Sequence, residues 1–199
     1  QELDGEIIED RPDALWSRAL LEKCRVREAP PLQRIVVAVD PPATSSKRAD
    51  ACGIVAAGTA ADGVVYVIAD DTVAGVTPAL WAAKAIALWR RCEADALVAE
   101  VNQGGDMVKA VIAEVDAAVP VIAVRATRGK WLRAEPVATL YEQGRVRHAG
   151  SFAALEDEMC DFALSGLSSN RSPDRLDALV WAVTHLALAP RGQPRVREL

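Results

Sequence analysis

Ile35-Val36-Val37-Ala38-Val39-Asp40-Pro41-Pro42 is an apolar, β-branched run that ends at an acid and two prolines. The run is too short for a helix, so it predicts a buried strand. A second run of this kind, Ala96-Leu97-Val98-Ala99, ends at Glu100. If the two strands are parallel neighbours, Asp40 and Glu100 leave the same edge of the sheet side by side.

The remaining apolar segments predict three further strands and a series of helices. The predicted strands are 35–39, 53–58, 64–68, 96–99 and 121–124, and the predicted helices lie near 78–91, 105–117, 131–143, 152–164 and 174–188. We also expect a brief extended piece at 146–148. Asp62-Gly63 predicts a tight antiparallel hairpin, because both turn positions need a positive φ. This order predicts an α/β fold with a mixed five-stranded sheet, in which three antiparallel strands precede β-α-β-α units, flanked by helices.

The 199 residues suffice for one domain with short flanking segments. We expect an N-terminal arm or linker over residues 1–33, since Ala29-Pro30-Pro31 interrupts the pattern there. The folded domain then covers residues 34–189. We expect residues 190–199 to be a basic C-terminal tail.

The composition is that of an ordinary globular protein, with 51% hydrophobic and 26% charged residues. No apolar run reaches the ~20 residues of a membrane helix and the N-terminus lacks a signal-peptide layout, so we expect no membrane association. The four cysteines are scattered, which favours reduced thiols in the cytoplasm over a zinc site or disulfides.

Net charge is −5, which argues against binding of nucleic acid by overall charge. Residues 125–147, however, contain six basic residues and two acids. Such a basic stripe is compatible with a nucleic-acid contact, although it is also typical of a solvated surface.

Four carboxylates stand at ends of predicted elements. Asp174 and Asp177 begin the last helix three residues apart and therefore share a face, which could lie against Asp40 and Glu100. Clustered carboxylates are costly to ionise unless a cation lies between them, and oxygen ligands suit Mg²⁺ or Mn²⁺. Each acid taken singly also fits a turn or a helix N-terminus, so the pattern leaves both interpretations open.

Four segments in order carry a resemblance to a known family. They are Val37-Ala38-Val39-Asp40-Pro41-Pro42 with the trailing segment 49–55, Val98-Ala99-Glu100-Val101-Asn102-Gln103-Gly104-Gly105, residues 128–137 followed by Gly144-Arg145-Val146, and Ser172-Pro173-Asp174-Arg175-Leu176-Asp177-Ala178-Leu179-Val180-Trp181. Together they resemble the nuclease domain of the large terminase subunit of phages or gene transfer agents, in the ribonuclease H-like superfamily. The resemblance implies that fold for residues 34–189.

The resemblance also implies roles for individual residues. Asp40, Glu100 and Asp177 would be ligands of two divalent cations, Mg²⁺ or Mn²⁺, with Asp174 as a fourth or supporting acid. Asp50 would be an auxiliary acid. The expected DNA contacts are Lys130, Arg133, Arg128 and Asn102.

The implied function is a metal-dependent endonuclease that cuts double-stranded DNA with little sequence specificity during viral DNA packaging. Its implied partners are an ATPase domain of the full-length protein, the terminase small subunit and the portal, in the cytoplasm of a bacterial host. Residues 1–33 would be the end of that ATPase motor. We expect no ATPase activity in this chain, because Trp131 follows Gly129-Lys130 and Val124 stands where a P-loop needs glycine.

Two other functions remain open. One is a Holliday-junction resolvase or transposase-like nuclease of the same superfamily, since resolvases share the Asp-x-x-Asp pair. A preference for four-way junctions would favour it. The other is a catalytically silent interaction domain, which failure to bind metal would favour.

Overall fold

A computed structural model describes residues 11–42, 51–101 and 105–189. Asp50, Asn102 and the tail at 190–199 lie outside the described residues. The helices and strands in chain order are α1 (Arg18–Cys24), β1 (Arg25–Val26), β2 (Leu32–Asp40), β3 (Gly53–Ala60), β4 (Val65–Asp70), α2 (Pro78–Arg91), β5 (Ala96–Glu100), α3 (Gly105–Val115), β6 (Val121–Val124), α4 (Lys130–Glu142), β7 (Val146–Ala149), α5 (Ala153–Asp161), α6 (Asp174–Val183) and a π-helical turn (Thr184–Leu188).

One mixed sheet forms the centre of the domain, with strand order β1-β7-β4-β3-β2-β5-β6. β2, β3 and β4 pair in antiparallel fashion, while β2 pairs with β5 and β5 with β6 in parallel. The α/β fold class and the predicted strand directions are therefore confirmed.

The sheet has seven strands in the described residues, two more than predicted. β7 lies parallel to β4 on one side and to β1 on the other. β1 has only two residues, too few for a periodic pattern to show. β7 coincides with the brief extended piece predicted at 146–148, which the sequence does not assign to the sheet. Pairing with distant segments makes both part of the sheet.

Helices cover both faces of the sheet. Val36 and Ala38 of β2 contribute to the core under α1, α4, α5 and α6, and Val37 and Val39 to the core under α2 and α3. Burial on both faces explains why this strand is a continuous apolar run rather than an alternating one. In the described part of the chain, no helix is both long and apolar enough to cross a bilayer.

The described part of the N-terminal segment packs against the domain. Trp16, Leu21 and Cys24 are buried in the core beneath α4, α5 and α6. The Trp16 ring meets the ring of Tyr141 edge-on, at 5.9 Å between centroids. These residues thus form part of the folded unit, while a boundary at residue 33 and a link to a motor stay predictions.

A buried polar network joins this segment to β7. Arg25 donates two hydrogen bonds to the carboxylate of Glu156 on α5, at 3.0 and 2.9 Å. Glu156 Oε1 also lies 2.9 Å from His148 Nδ1, and His148 Nε2 lies 2.8 Å from the Tyr141 hydroxyl. Burial opposes the charge of Glu156, but hydrogen bonds from His148 and Arg25 lower its pKa to about 2.

This low pKa makes the stability of the fold sensitive to acid. A carboxyl whose pKa is lower when folded stabilises the fold above its unfolded pKa, and the stabilisation is lost as the pH falls toward 2. We expect Glu156→Gln to remove on the order of 2 kcal/mol at neutral pH and less at pH 2 to 3. Urea unfolding of the wild type and the variant at neutral pH and at pH 2 to 3 measures this loss of stability. Glu135→Gln, an exposed acid on α4, is the control, and an equal pH slope in both variants would contradict the prediction.

Candidate functional site

Two of the four predicted acids lie at the carboxyl edge of adjacent strands. β2 and β5 are parallel, and Val39 pairs with Ala99. Asp40 and Glu100 are the next residues of the two strands, so both strands end in an acid at the same edge of the sheet. Glu100 is buried, with 7% of its surface exposed, whereas Asp40 is partly buried.

The other two acids are brought to this edge by α6. Asp174 and Asp177 occupy its first turn, and both are buried. The helix can approach the sheet there because position 53, the β3 partner of Asp40, is glycine. A Cβ atom at Gly53 would lie 1.9 Å from the main-chain oxygen of Asp174.

The four acids share one electrostatic environment. Burial raises the pKa of Asp40 well above its ordinary value, and the like charges of Asp177 and Glu100 raise it further. Burial also raises the pKa of Asp177, although Lys130 and Arg133 partly offset the rise. Ionising all four acids together therefore requires additional positive charge.

Two basic side chains of α4 lie against these acids. Lys130 Nζ is 2.5 Å from Asp177 Oδ2 and donates a hydrogen bond to Ser172 Oγ at 2.8 Å. Arg133 donates to Asp177 Oδ1 at 3.2 Å and to Glu100 Oε2 at 3.5 Å. Burial works against the charge of Lys130, but Asp177 and Asp40 raise its pKa above the ordinary value.

The predicted DNA contacts thus lie in different surroundings. The side chain of Lys130 is 43% exposed at the rim of the site, and that of Arg133 only 11%. Arg128 is exposed. A phosphate contact stays a prediction for all three residues.

Trp181 belongs to the site, although the sequence assigns no role to it beyond its place in the fourth segment of the resemblance. Its indole N–H donates a 2.6 Å hydrogen bond to Glu100 Oε2. The guanidinium of Arg133 lies 4.7 Å from the centre of the Trp181 ring, within the range of a cation–π contact. The Trp181 side chain therefore orients both a carboxylate and its partner, a role that an apolar helical pattern cannot reveal.

The donor set suits a hard divalent cation. Among the residues described, no three acidic, histidine or cysteine side chains surround a single point as a preformed metal site would. Lys130 and Arg133 instead lie among the carboxylates. Their two positive charges cannot balance the four negative charges of the ionised acids. Carboxylate oxygens without nitrogen or sulfur ligands are the donors that Mg²⁺ and Mn²⁺ prefer.

The family model described as terminase RNaseH-like domain matches residues 37–186. The chain belongs to this family. A comparison with curated proteins gives no match.

Solved terminase structures share the fold. The large terminase nuclease from thermophilic phage G20c has a TM-score of 0.65 at 14% identity, covering 86% of this chain and 98% of that one. The nuclease domain of the large terminase subunit gp2 of bacterial virus Sf6 also has a TM-score of 0.65 at 14% identity, covering 89% and 100%. The HK97 bacteriophage large terminase has 0.61 at 16%, and this terminase domain covers 43% of that chain. The G20c nuclease has also been solved with bound magnesium, and a mutant of the Sf6 domain with manganese and beta-thujaplicinol.

The contact between Gly53 and α6 can be tested by substitution. We expect Gly53→Ala to lower the free energy of unfolding by about 3 kcal/mol, because the new methyl group must displace the first turn of α6. Gly129→Ala is the control, since a Cβ there meets nothing within 4 Å, and it should cost less than about 1 kcal/mol. Chemical denaturation of both variants measures these free energies of unfolding. Equal losses in the two variants would show that the close approach of α6 to Gly53 is not needed.

Proposed function

We propose that this terminase domain is a metal-dependent endonuclease that hydrolyses phosphodiester bonds of double-stranded DNA, with little sequence preference, during viral-type DNA packaging. The observation that carries the proposal is the convergence of Asp40, Glu100, Asp174 and Asp177 at one edge of the sheet. A purely structural role gives no reason to bring four like charges together, three of them buried.

Asp40, Glu100 and Asp177 would hold two divalent cations, Mg²⁺ or Mn²⁺, and Asp174 would be a fourth or supporting ligand. Such ions lower the pKa of a water molecule and neutralise charge during an in-line displacement at phosphorus. The magnesium and manganese present in structures of the G20c and Sf6 nucleases support this choice of ions.

The side chains around the acids have supporting roles. Trp181 and Arg133 hold the Glu100 carboxylate in one orientation. Lys130 lies at the rim, where its ammonium can turn from Asp177 toward a DNA phosphate. Lys130 and Arg128 would supply affinity without reading the base sequence, since phosphate contacts carry no sequence information.

The partners follow from the family. We propose that an ATPase domain of a longer protein, a terminase small subunit and a portal act with this domain in the cytoplasm of a bacterial host. The fraction of the HK97 large terminase that the chain covers is consistent with the nuclease part of such a protein.

Plasmid cleavage tests the proposed activity. The wild-type chain should nick and linearise supercoiled plasmid with Mg²⁺ or Mn²⁺, and EDTA should abolish cleavage. Asp40→Asn should reduce the rate by at least about a hundredfold, because the variant removes charge from the centre of the cluster. Asp62→Asn is the matched control, because Asp62 lies exposed in the β3–β4 turn at the opposite edge of the sheet.

Three results would contradict this proposal. Equal cleavage by the wild type and Asp40→Asn would place the activity elsewhere. Absence of metal-dependent cleavage by the wild type would favour a silent interaction domain. A strong preference for four-way junctions over linear duplex would favour a resolvase.

DNA binding separates the roles of the basic residues. Without metal, Lys130→Ala and Arg128→Ala should each weaken duplex binding and reduce the slope of log affinity against log salt by about 0.9. Arg133→Ala should instead lower the free energy of unfolding by about 3 kcal/mol, because it removes the guanidinium that pairs with two buried carboxylates, those of Glu100 and Asp177.

Fluorescence anisotropy over a salt series, with urea unfolding, measures both effects. Arg90→Ala, exposed on α2 across the sheet, is the control and should change neither quantity by a comparable amount. An unchanged salt slope for Lys130→Ala would remove Lys130 from the DNA contacts.

A further inference from the structure

The helix that carries Asp174 and Asp177 begins without a local cap. The residue that precedes α6 is Pro173, and no side chain at that position accepts a hydrogen bond from the first turn. The first N–H groups of a helix have no partner within the helix itself, so a buried helix start needs acceptors from elsewhere.

Glu158 of α5 supplies these acceptors. Its Oε2 accepts hydrogen bonds from the main-chain N–H groups of Arg175 at 3.0 Å and Leu176 at 3.2 Å. Its Oε1 accepts a hydrogen bond from the Arg175 guanidinium at 3.3 Å. The side chain is 17% exposed, so this carboxylate is a partly buried cap contributed by another helix.

Arg175 extends the contact to the sheet. Its Nε donates a 3.0 Å hydrogen bond to Asp70, the last residue of β4. Asp70 also accepts from the main chain of Thr72, whose hydroxyl accepts from the main chain of Ile54, next to Gly53. The first turn of α6 is thereby tied to α5, to the end of β4 and to the start of β3.

We propose that Glu158 is a positioning residue for the acidic cluster, which holds Asp174 and Asp177 opposite Asp40 and Glu100 by capping α6. The proposal rests on the proposed metal-dependent nuclease function. Glu158 touches no reacting group in this scheme and acts through the main chain of α6.

The cap acts on the part of α6 that lies between the two acids. The two capped N–H groups belong to Arg175 and Leu176, which lie between Asp174 and Asp177 in the chain. A shift of this turn would move both carboxylates together. Their repulsion from Asp40 and Glu100 favours such a shift, and the cap opposes it.

Burial raises the pKa of Glu158 to about 7, and the nearby Asp174 adds to the rise. Contacts with Leu176 and Arg175 work in the opposite direction. A pH of 8 therefore keeps the cap ionised and suits measurements of its effect.

Mn²⁺ binding to the 199-residue chain tests the proposal without reference to cleavage. The amount of free Mn²⁺ in a titration is read from its electron paramagnetic resonance signal at pH 8. We expect Glu158→Ala to raise the dissociation constant roughly tenfold, as expected for loss of a group that orients metal ligands. Glu158→Gln should retain most of the affinity, because its amide oxygen can still accept both main-chain N–H groups.

Asp157→Ala is the matched control, since Asp157 lies on the same helix and pairs with Arg18 instead of α6. Thermal unfolding of every variant is measured in parallel. Unchanged Mn²⁺ affinity in Glu158→Ala, with a lowered midpoint of unfolding, would overturn the proposal and leave Glu158 a plain structural cap. Equal loss of affinity in Asp157→Ala would also overturn it.

The metal titration also separates this proposal from the proposed function. Failure of the wild type to bind Mn²⁺ would reject the metal-dependent function itself. Wild-type binding together with unchanged binding in Glu158→Ala would reject only the role of Glu158.

Discussion

Repulsion among the four carboxylates at one edge of the sheet is the constraint on which this structure depends. Parallel pairing of β2 and β5 fixes two of the acids at the ends of neighbouring central strands. The other two are on a helix that can reach the edge only because Gly53 has no side chain. The fold therefore stabilises an arrangement that the charges alone would disperse, which is the condition for binding a cation tightly.

Positive charge from α4 offsets part of the repulsion among the four carboxylates. Lys130 and Arg133 lie one turn apart and reach Asp177 from the same side. Arg133 is also stacked on Trp181, so its position is fixed by packing as well as by charge. The basic stripe of an otherwise acidic chain thus serves partly to balance buried acids, which a count of surface charge overlooks.

The sequence predicts the parts of the fold that local patterns determine. Strands buried on both faces are continuous apolar runs, so β2 and β5, with the acids that end them, can be located without a structure. The sequence indicates β7 only as a brief extended piece and β1 not at all, because their places in the sheet depend on pairing with distant segments. The sequence places Arg133 in a basic stripe but does not show that it is buried against Glu100. Glu158 was missed for the same reason, since a cap from another helix leaves no trace at the helix start.

α5 connects the two halves of this arrangement. On one side, Glu156 and Asp157 pair with Arg25 and Arg18 of the N-terminal segment. On the other side, Glu158 caps α6. Three consecutive acids with different partners hold α5 between the N-terminal segment and the acid-bearing helix. Each of these acids has its own partner, so Asp157 contributes to the packing of α1 on α5, whereas Glu158 caps the main chain of α6. The first turn of the acid-bearing helix thus depends on a carboxylate from another helix as well as on the sheet itself.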